Sequence, residues 1–184
     1  MGKDYSIQPA DVKLLQDADL SADDLDHSLK VAGKALEIAR RVKADVDMEL
    51  VGRGALFHDL GKAKTHAIEH GKLGAEMGQA LGLPIAITDI MQKHIRGGLS
   101  TEEAMELGLP IRDYTLRSLE ERIVIYADRL ADILWDGLVK VDSAQDAEDR
   151  FVDILKDNIK YGKNAQTLAR YIGYHTEIQG LMKA

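Results

Sequence analysis

Phe57-His58-Asp59-Leu60-Gly61-Lys62 is the stretch on which the reading of this chain turns. A histidine stands beside an aspartate at the end of an apolar run that reads as helix. Successive residues on a helix point about 100° apart. His58 and Asp59 can therefore reach one metal from two sides, or Asp59 can bridge two metals with its two oxygens. Gly61 permits the backbone conformation that ends a helix. Lys62 follows that turn, where an ammonium group can meet an anionic substrate. A His-Asp pair alone is a weak signal, so its weight depends on what the rest of the chain supplies.

Outward from the motif, apolar spacing predicts helices throughout. The motif closes a helix over 46–60 that carries Met48, Val51, Ala55 and Leu56. Before it comes a short helix over 9–18, then one over 21–42 opened by the capping-box pattern Ser21-Ala22-Asp23-Asp24. That second helix has one apolar stripe at Leu25, Leu29, Ala32, Leu36 and Ala39 and another at His27, Val31, Ile38 and Val42. It is expected to be central, with His27 facing inward. After the motif, a loop over 61–69 leads to a helix over 69–81 stopped by Gly82. Pro84 opens the next, which runs to His94 and breaks at Gly97-Gly98. A second capping box, Ser100 to Glu103, opens a short helix. A long apolar helix over 115–135 carries Asp128 in its middle, where a buried carboxylate needs a cation or strong donors. Helices over 146–158 and 163–182 complete the chain. No alternating strand pattern, repeat or linker is found, so the fold class expected is all-α, in one domain over 1–184.

Composition sets the outer bounds. The 184 residues, 45% hydrophobic and 30% charged, suit one globular domain with a sizeable core. No apolar run approaches the roughly 20 residues of a membrane span. The start Met1-Gly2-Lys3-Asp4-Tyr5 lacks the apolar segment of a signal peptide, so a cytoplasmic location is expected. With no cysteine, any transition metal must be held by His, Asp and Glu. A net charge of −7 argues against a broad nucleic-acid surface. Local positive charge does gather near the motif, where Lys62 and Arg96 stand out as contacts for a small phosphorylated ligand.

The chain has six histidines. Four of them, with two aspartates, follow the order His27, His58-Asp59, His70, His94, Asp128. Two local segments accompany this order: His70-Gly71-Lys72-Leu73-Gly74-Ala75-Glu76 and Tyr126-Ala127-Asp128-Arg129-Leu130. Together they resemble the HD-domain superfamily of metal-dependent phosphohydrolases, over about 21–135. The nearest likeness is to its small archaeal-type HDIG-motif subgroup, and the HD domain of endoribonuclease Y is similar in layout. The resemblance implies a single HD-domain helical bundle with further helices over 143–184. It implies a first metal on His27, His58, Asp59 and Asp128, and a second on His70 and His94 bridged by Asp59. One or two divalent transition metals (Mn, Fe, Co, Ni or Zn) are the cofactors implied. His66 reads as near the site without being a ligand. His175 reads as a surface or packing residue, and Tyr126 and Trp135 as core.

The function implied is hydrolysis of a phosphomonoester or phosphodiester, nucleotide-like in character, by a metal-activated hydroxide. Asp59 and Lys62 would carry the chemistry, and Lys62 and Arg96 would bind the substrate. Two other classes compete. A di-iron oxygenase on the same fold would use the same six ligands and consume O₂. A metal-stabilised sensor or interaction domain would tolerate a broken ligand set, which is not seen. Oligomeric state is left open, a homodimer included. Two departures from many relatives concern the loop after His94: Ile95 replaces a second histidine, and Arg96-Gly97-Gly98 follows.

Overall fold

The computed structural model describes residues 4–184. Met1, Gly2 and Lys3, part of the stretch read for a signal peptide, lie outside the described residues. The described residues form eleven α-helices and two 3₁₀ turns, with no strand among them. No helix among them is long and apolar enough to cross a membrane.

The centre is α2 (Ala22–Arg41), which packs against α3 (Met48–Phe57) and α7 (Leu119–Trp135). The short α1 (Pro9–Asp17) braces α3. Ser21 opens α2 by accepting from the Asp24 amide at 3.1 Å. Its partner does not complete a capping box. The Asp24 carboxylate instead accepts from the Ser21 hydroxyl at 2.7 Å and also meets His66 at 3.0 Å. Both predicted stripes are buried along most of their length, through Val31, Ile38 and Val42 on one and Ala32, Leu36 and Ala39 on the other, and Leu29 alone among their apolar residues is exposed. Three crossing helices therefore hold the stripe that contains His27.

The predicted helix over 46–60 stops early. α3 ends at Phe57, His58 is its cap, and Leu60–Ala63 forms a 3₁₀ turn. Gly61 does not act through a positive φ, as the sequence suggested. A Cβ on Gly61 would lie 1.8 Å from the His70 carbonyl oxygen and 2.7 Å from the Gly74 amide nitrogen. Its role is close approach: only hydrogen fits where this turn crosses α4 (His70–Ala80). The chain has to leave α3 at His58 to make that crossing.

α5 (Ile85–Lys93) packs on both α3 and α4. A second 3₁₀ turn, Ile95–Gly97, and the short α6 (Thr101–Glu106) follow, and both halves of the Ser100/Glu103 capping box are formed. α7 begins at Leu119, four residues later than expected, behind a second complete box made by Ser118 and Glu121.

The C-terminal segment is more divided than its pattern suggested. In place of one helix over 146–158 there are α8 (Ala144–Asp149) and α9 (Phe151–Asp157). Arg150 leaves helical dihedrals, and its guanidinium turns back to the Lys140 carbonyl at 3.1 Å and to Asp146 at 2.9 Å. A single-turn α10 (Ile159–Gly162) leads to α11 (Ala165–Lys183), which lies on α7 and α9. Tyr126 and His175 do pack here: the tyrosine is fully buried, 2.8 Å from His175 Nδ1, and the imidazole stacks on Phe151. Trp135 departs from its expected core place. It is 48% exposed at the end of α7, with the Lys30 ammonium 5.6 Å above its ring.

Candidate metal centre

Five elements deliver the predicted residues to one cavity of about 290 Å³, with His58 fully buried behind its wall and the others lining it. His27 comes from the first turns of α2, and His58 and Asp59 from the exit of α3. His70 opens α4, His94 caps α5, and Asp128 lies in the middle of α7.

Asp59 stands at the centre. Its Oδ2 lies 3.2 Å from His58 Nε2, 3.6 Å from His27 Nε2 and 2.7 Å from Lys62 Nζ. Its Oδ1 lies 3.2 Å from both His70 Nε2 and His94 Nε2. One carboxylate thus turns one oxygen toward each of two histidine groups. Asp128 Oδ1 closes the first group, 3.0 Å from His27 Nε2 and 3.4 Å from His58 Nε2.

The imidazoles are oriented by backbone carbonyls. His58, His70 and His94 each place Nδ1 on the carbonyl three residues earlier: Ala55 at 2.6 Å, Ala67 at 2.8 Å and Met91 at 2.7 Å. An Nδ1–H donating there leaves each Nε2 with a bare lone pair on the side of Asp59. A carbonyl behind a ligand histidine is the usual way a protein fixes this tautomer.

These donors fit a divalent metal. His58 Nε2 is buried without a hydrogen-bond partner, a costly arrangement unless a cation takes the lone pair. His70 Nε2 and His94 Nε2 face each other at 2.8 Å, so two lone pairs repel unless a positive charge lies between them. Donors about 2.1 Å from one ion stand about 3.0–3.4 Å apart. The groups His27–His58–Asp59 and Asp59–His70–His94 can each hold an ion, as can His27–Asp128–Asp132.

Electrostatics point the same way. Burial opposes charge on His58 and His27, but Asp59 and Asp128 outweigh it and raise both histidines above their ordinary value. Burial likewise opposes charge on Asp59, yet His58 and the hydrogen bonds of His70 and His94 hold its carboxyl well below the usual range. Asp128 is lowered in the same manner, against burial, by His58 and His27. His94 moves down, chiefly through burial, and so keeps its lone pair. Burial also disfavours the Lys62 ammonium, but Asp59 overrides it and raises Lys62.

The sequence reading placed all six proposed ligands and Lys62 near one another, and the structure brings them together. Arg96 lines the same cavity. His66 does not; it is exposed and bonded to Asp24. Four polar cavity residues escaped the reading: Arg129, Asp132, Lys163 and Tyr171. Asp132 follows Asp128 by four residues, so helical spacing alone could have found it. Burial, and then the charge of Asp128, push its carboxyl up to about 6. Lys163 and Tyr171 lie far along the chain in a segment with no motif.

Residues 24–133 match the HD domain family. The chain belongs to the HD domain family. This HD domain is 40% identical over 162 residues to the uncharacterized protein MJ0778 of Methanocaldococcus jannaschii, covering 86% of the chain and 89% of that protein. Ribonuclease Y of Acidothermus cellulolyticus is 30% identical over 148 residues, which span 73% of this HD domain and 29% of the ribonuclease. Shorter matches fall on tRNA (cytidine(56)-2'-O)-methyltransferases of Picrophilus torridus and Thermoplasma volcanium, of whose lengths the chain spans 26% and 31%. Among solved structures, the HD domain of the Listeria monocytogenes phosphodiesterase PgpH, in complex with cyclic-di-AMP, shares the fold. Its TM-score is 0.61 at 18% identity, over 94% of this chain and 95% of that one.

Proposed function

We propose that this HD domain is a cytoplasmic metal-dependent phosphohydrolase cleaving a phosphomonoester or phosphodiester of nucleotide-like character. In this reading His27, His58, Asp59 and Asp128 hold one metal, and Asp59, His70 and His94 hold a second. The observation that carries it is Asp59, one oxygen toward each histidine group, with the buried Nε2 of His58 facing two carboxylates and lacking a hydrogen-bond partner. When bound, Mn, Fe, Co, Ni or Zn supplies Lewis acidity that eases deprotonation of water and neutralises charge on phosphoryl oxygens.

The chain's own residues do the rest. Lys62 stays cationic because Asp59 stabilises its charge. From the cavity wall it can follow negative charge as it grows on the phosphoryl oxygens. Arg96 offers a planar pair of donors suited to a phosphate. His58, His70 and His94 are held by backbone carbonyls, so the donor set is oriented before substrate arrives.

A di-iron oxygenase would use the same six donors. The cavity wall favours an anionic substrate over O₂, because Lys62, Arg96, Arg129 and Lys163 all line it. The sensor reading draws no support from a ligand set without a gap. The solved complex of the PgpH HD domain with cyclic-di-AMP supports the nucleotide-like class.

The test is hydrolysis of bis(p-nitrophenyl) phosphate by Mn²⁺-loaded protein beside an Asp59→Ala control, followed by a panel of nucleotide monoesters and diesters. Turnover that vanishes in the control is the expected result. Inert wild-type protein across the whole panel, with iron bound and O₂ consumed, would replace this reading by the oxygenase.

A further inference from the structure

Three non-glycine residues among the described residues have positive φ: Asp19 at 61°, Arg96 at 50° and Lys163 at 63°. Such a conformation is strained for a side chain with a Cβ. Two of the three are cations, and both line the cavity that holds the metal centre. Lys163 is the more strained, since its ψ of −83° lies outside the left-handed helical region. Its turn is built in: a Cβ on the preceding Gly162 would sit 2.3 Å from the Leu155 carbonyl oxygen. Arg96 sits between His94 and the positive-φ pair Gly97-Gly98.

Among the described residues neither cation has a side-chain hydrogen bond or ion pair; the Arg96 carbonyl accepts from Arg170 at 3.3 Å, and the Lys163 amide donates to the Ile159 carbonyl at 2.9 Å. Arg129 joins them from α7. It is buried and gives one nitrogen to Asp132 at 3.2 Å and another to the Tyr171 hydroxyl at 3.3 Å, while its Nε has no partner. The three charges are close enough to be felt. Burial, then Arg129 and Arg96, depress the Lys163 ammonium below its ordinary value. Like charges gathered beside one half-buried carboxylate, Asp132, with donors to spare, leave room for an anion.

We propose that Arg96, Arg129 and Lys163 form a second anion subsite, which takes a phosphate group other than the one presented to the metals. The substrate is then a small ester carrying two phosphates. Its catalytic half rests on the phosphohydrolase reading; its binding half does not. The cavity, about 290 Å³, is at the small end of ligand pockets, which suits a molecule no larger than a mononucleotide. Tyr171 is the aromatic ring of the wall, and the Arg129 guanidinium lies 4.7 Å over it. Charge, not base stacking, is what this wall offers. The Arg96 fork, the unpaired Nε of Arg129 and the Lys163 ammonium supply the charged donors that a phosphate takes. Arg96 and Arg129 lie within the family's matched residues, 24–133, and Lys163 lies outside them, so the C-terminal segment completes the subsite.

The experiment is calorimetric titration of inorganic phosphate into EDTA-stripped protein, for wild type and for Lys163→Gln, Arg96→Gln and Lys62→Gln. No turnover is needed, so a protein inert in hydrolysis still tests the subsite. The expected result is phosphate binding weakened at least tenfold by Lys163→Gln and by Arg96→Gln, and far less by Lys62→Gln. Absence of binding in wild type, or loss confined to Lys62→Gln, overturns the proposal. Lys163→Gly and Arg96→Gly supply an independent readout, because glycine accepts both backbone conformations. Their Tm should equal or exceed that of wild type. A Tm lowered by several degrees would mean these side chains serve the fold, and would also overturn it.

Discussion

Replacing Asp59 by asparagine keeps the shape of the side chain and removes the charge that His58, His70, His94 and Lys62 all face. Asp59→Asn is expected to bring metal content below two per chain by elemental analysis. Hydrolysis should fall at least about 100-fold, since even outer-shell partners of metal ligands cost 10–100-fold. Equal metal content in the variant would rule out Asp59 as a bridge. Gly61→Ala tests the same site through the backbone. The new Cβ would meet two backbone atoms, the His70 oxygen and the Gly74 nitrogen, and neither can rotate away. Overpacking costs about 1–3 kcal/mol, and this site belongs at the upper end. We expect a lowered Tm together with lost metal loading, because His70 must move. At this scale the sequence was largely legible: four of the six proposed ligands are histidines, of which the chain has only six, and they stand in a fixed order with two aspartates. Asp132 was missed because a second carboxylate on a helix usually faces solvent. Lys163 was missed because a strained φ leaves no mark in composition.

Among the elements, the joint between α2, α8 and α11 depends on one buried carboxylate. Glu148 accepts from Arg41 at 2.7 and 2.9 Å and from Gln179 at 2.9 Å. Burial would raise its pKa, but the hydrogen bonds from Arg41 and Gln179 win and lower it. Its contribution to stability is therefore complete above the ordinary glutamate value of about 4.3 and fades as pH falls through the lowered folded value. Glu148→Gln keeps the shape and loses the charge. It should cost about 1–3 kcal/mol at pH 7, the range for a hydrogen bond to a charged group, since Arg41 is partly exposed and can rehydrate. Urea unfolding at pH 7 and pH 3.5 checks this: the gap between wild type and variant should shrink at the lower pH. A gap that stays constant would assign the effect to packing alone. Helix existence was legible at this scale, while helix ends were not. α3 stops at Phe57 because its successor must cross α4 through Gly61, and α8 parts from α9 because Arg150 turns back to Lys140. Both causes are tertiary, and neither shows in local spacing.

At the scale of the whole molecule, the donors join α2, α3, α4, α5 and α7, so metal loading and folding should be one equilibrium. A ligand that binds only the folded state stabilises it by about 2.7 kcal/mol at 100 times its dissociation constant. With about 2–4 °C of Tm per kcal/mol for a chain of this size, removing metal should lower Tm by about 5–10 °C. The dependence on pH should also reverse in character. In the metal-free protein, His58 and His27 are raised because protons stand in for the missing positive charge between Asp59 and Asp128. A histidine raised by folding stabilises fully below its unfolded value of about 6.5 and loses that contribution as pH rises through its folded value. Metal must displace those same protons, so its affinity weakens as pH falls into that range and levels off above it. Thermal melts of EDTA-treated and Mn²⁺-loaded protein between pH 6 and 9 separate the two. The metal-free Tm should decline with rising pH, and the increment from Mn²⁺ should grow over the same interval. Parallel curves would mean that the ion binds elsewhere than between these carboxylates, because only a competitor for the histidine protons makes the curves diverge.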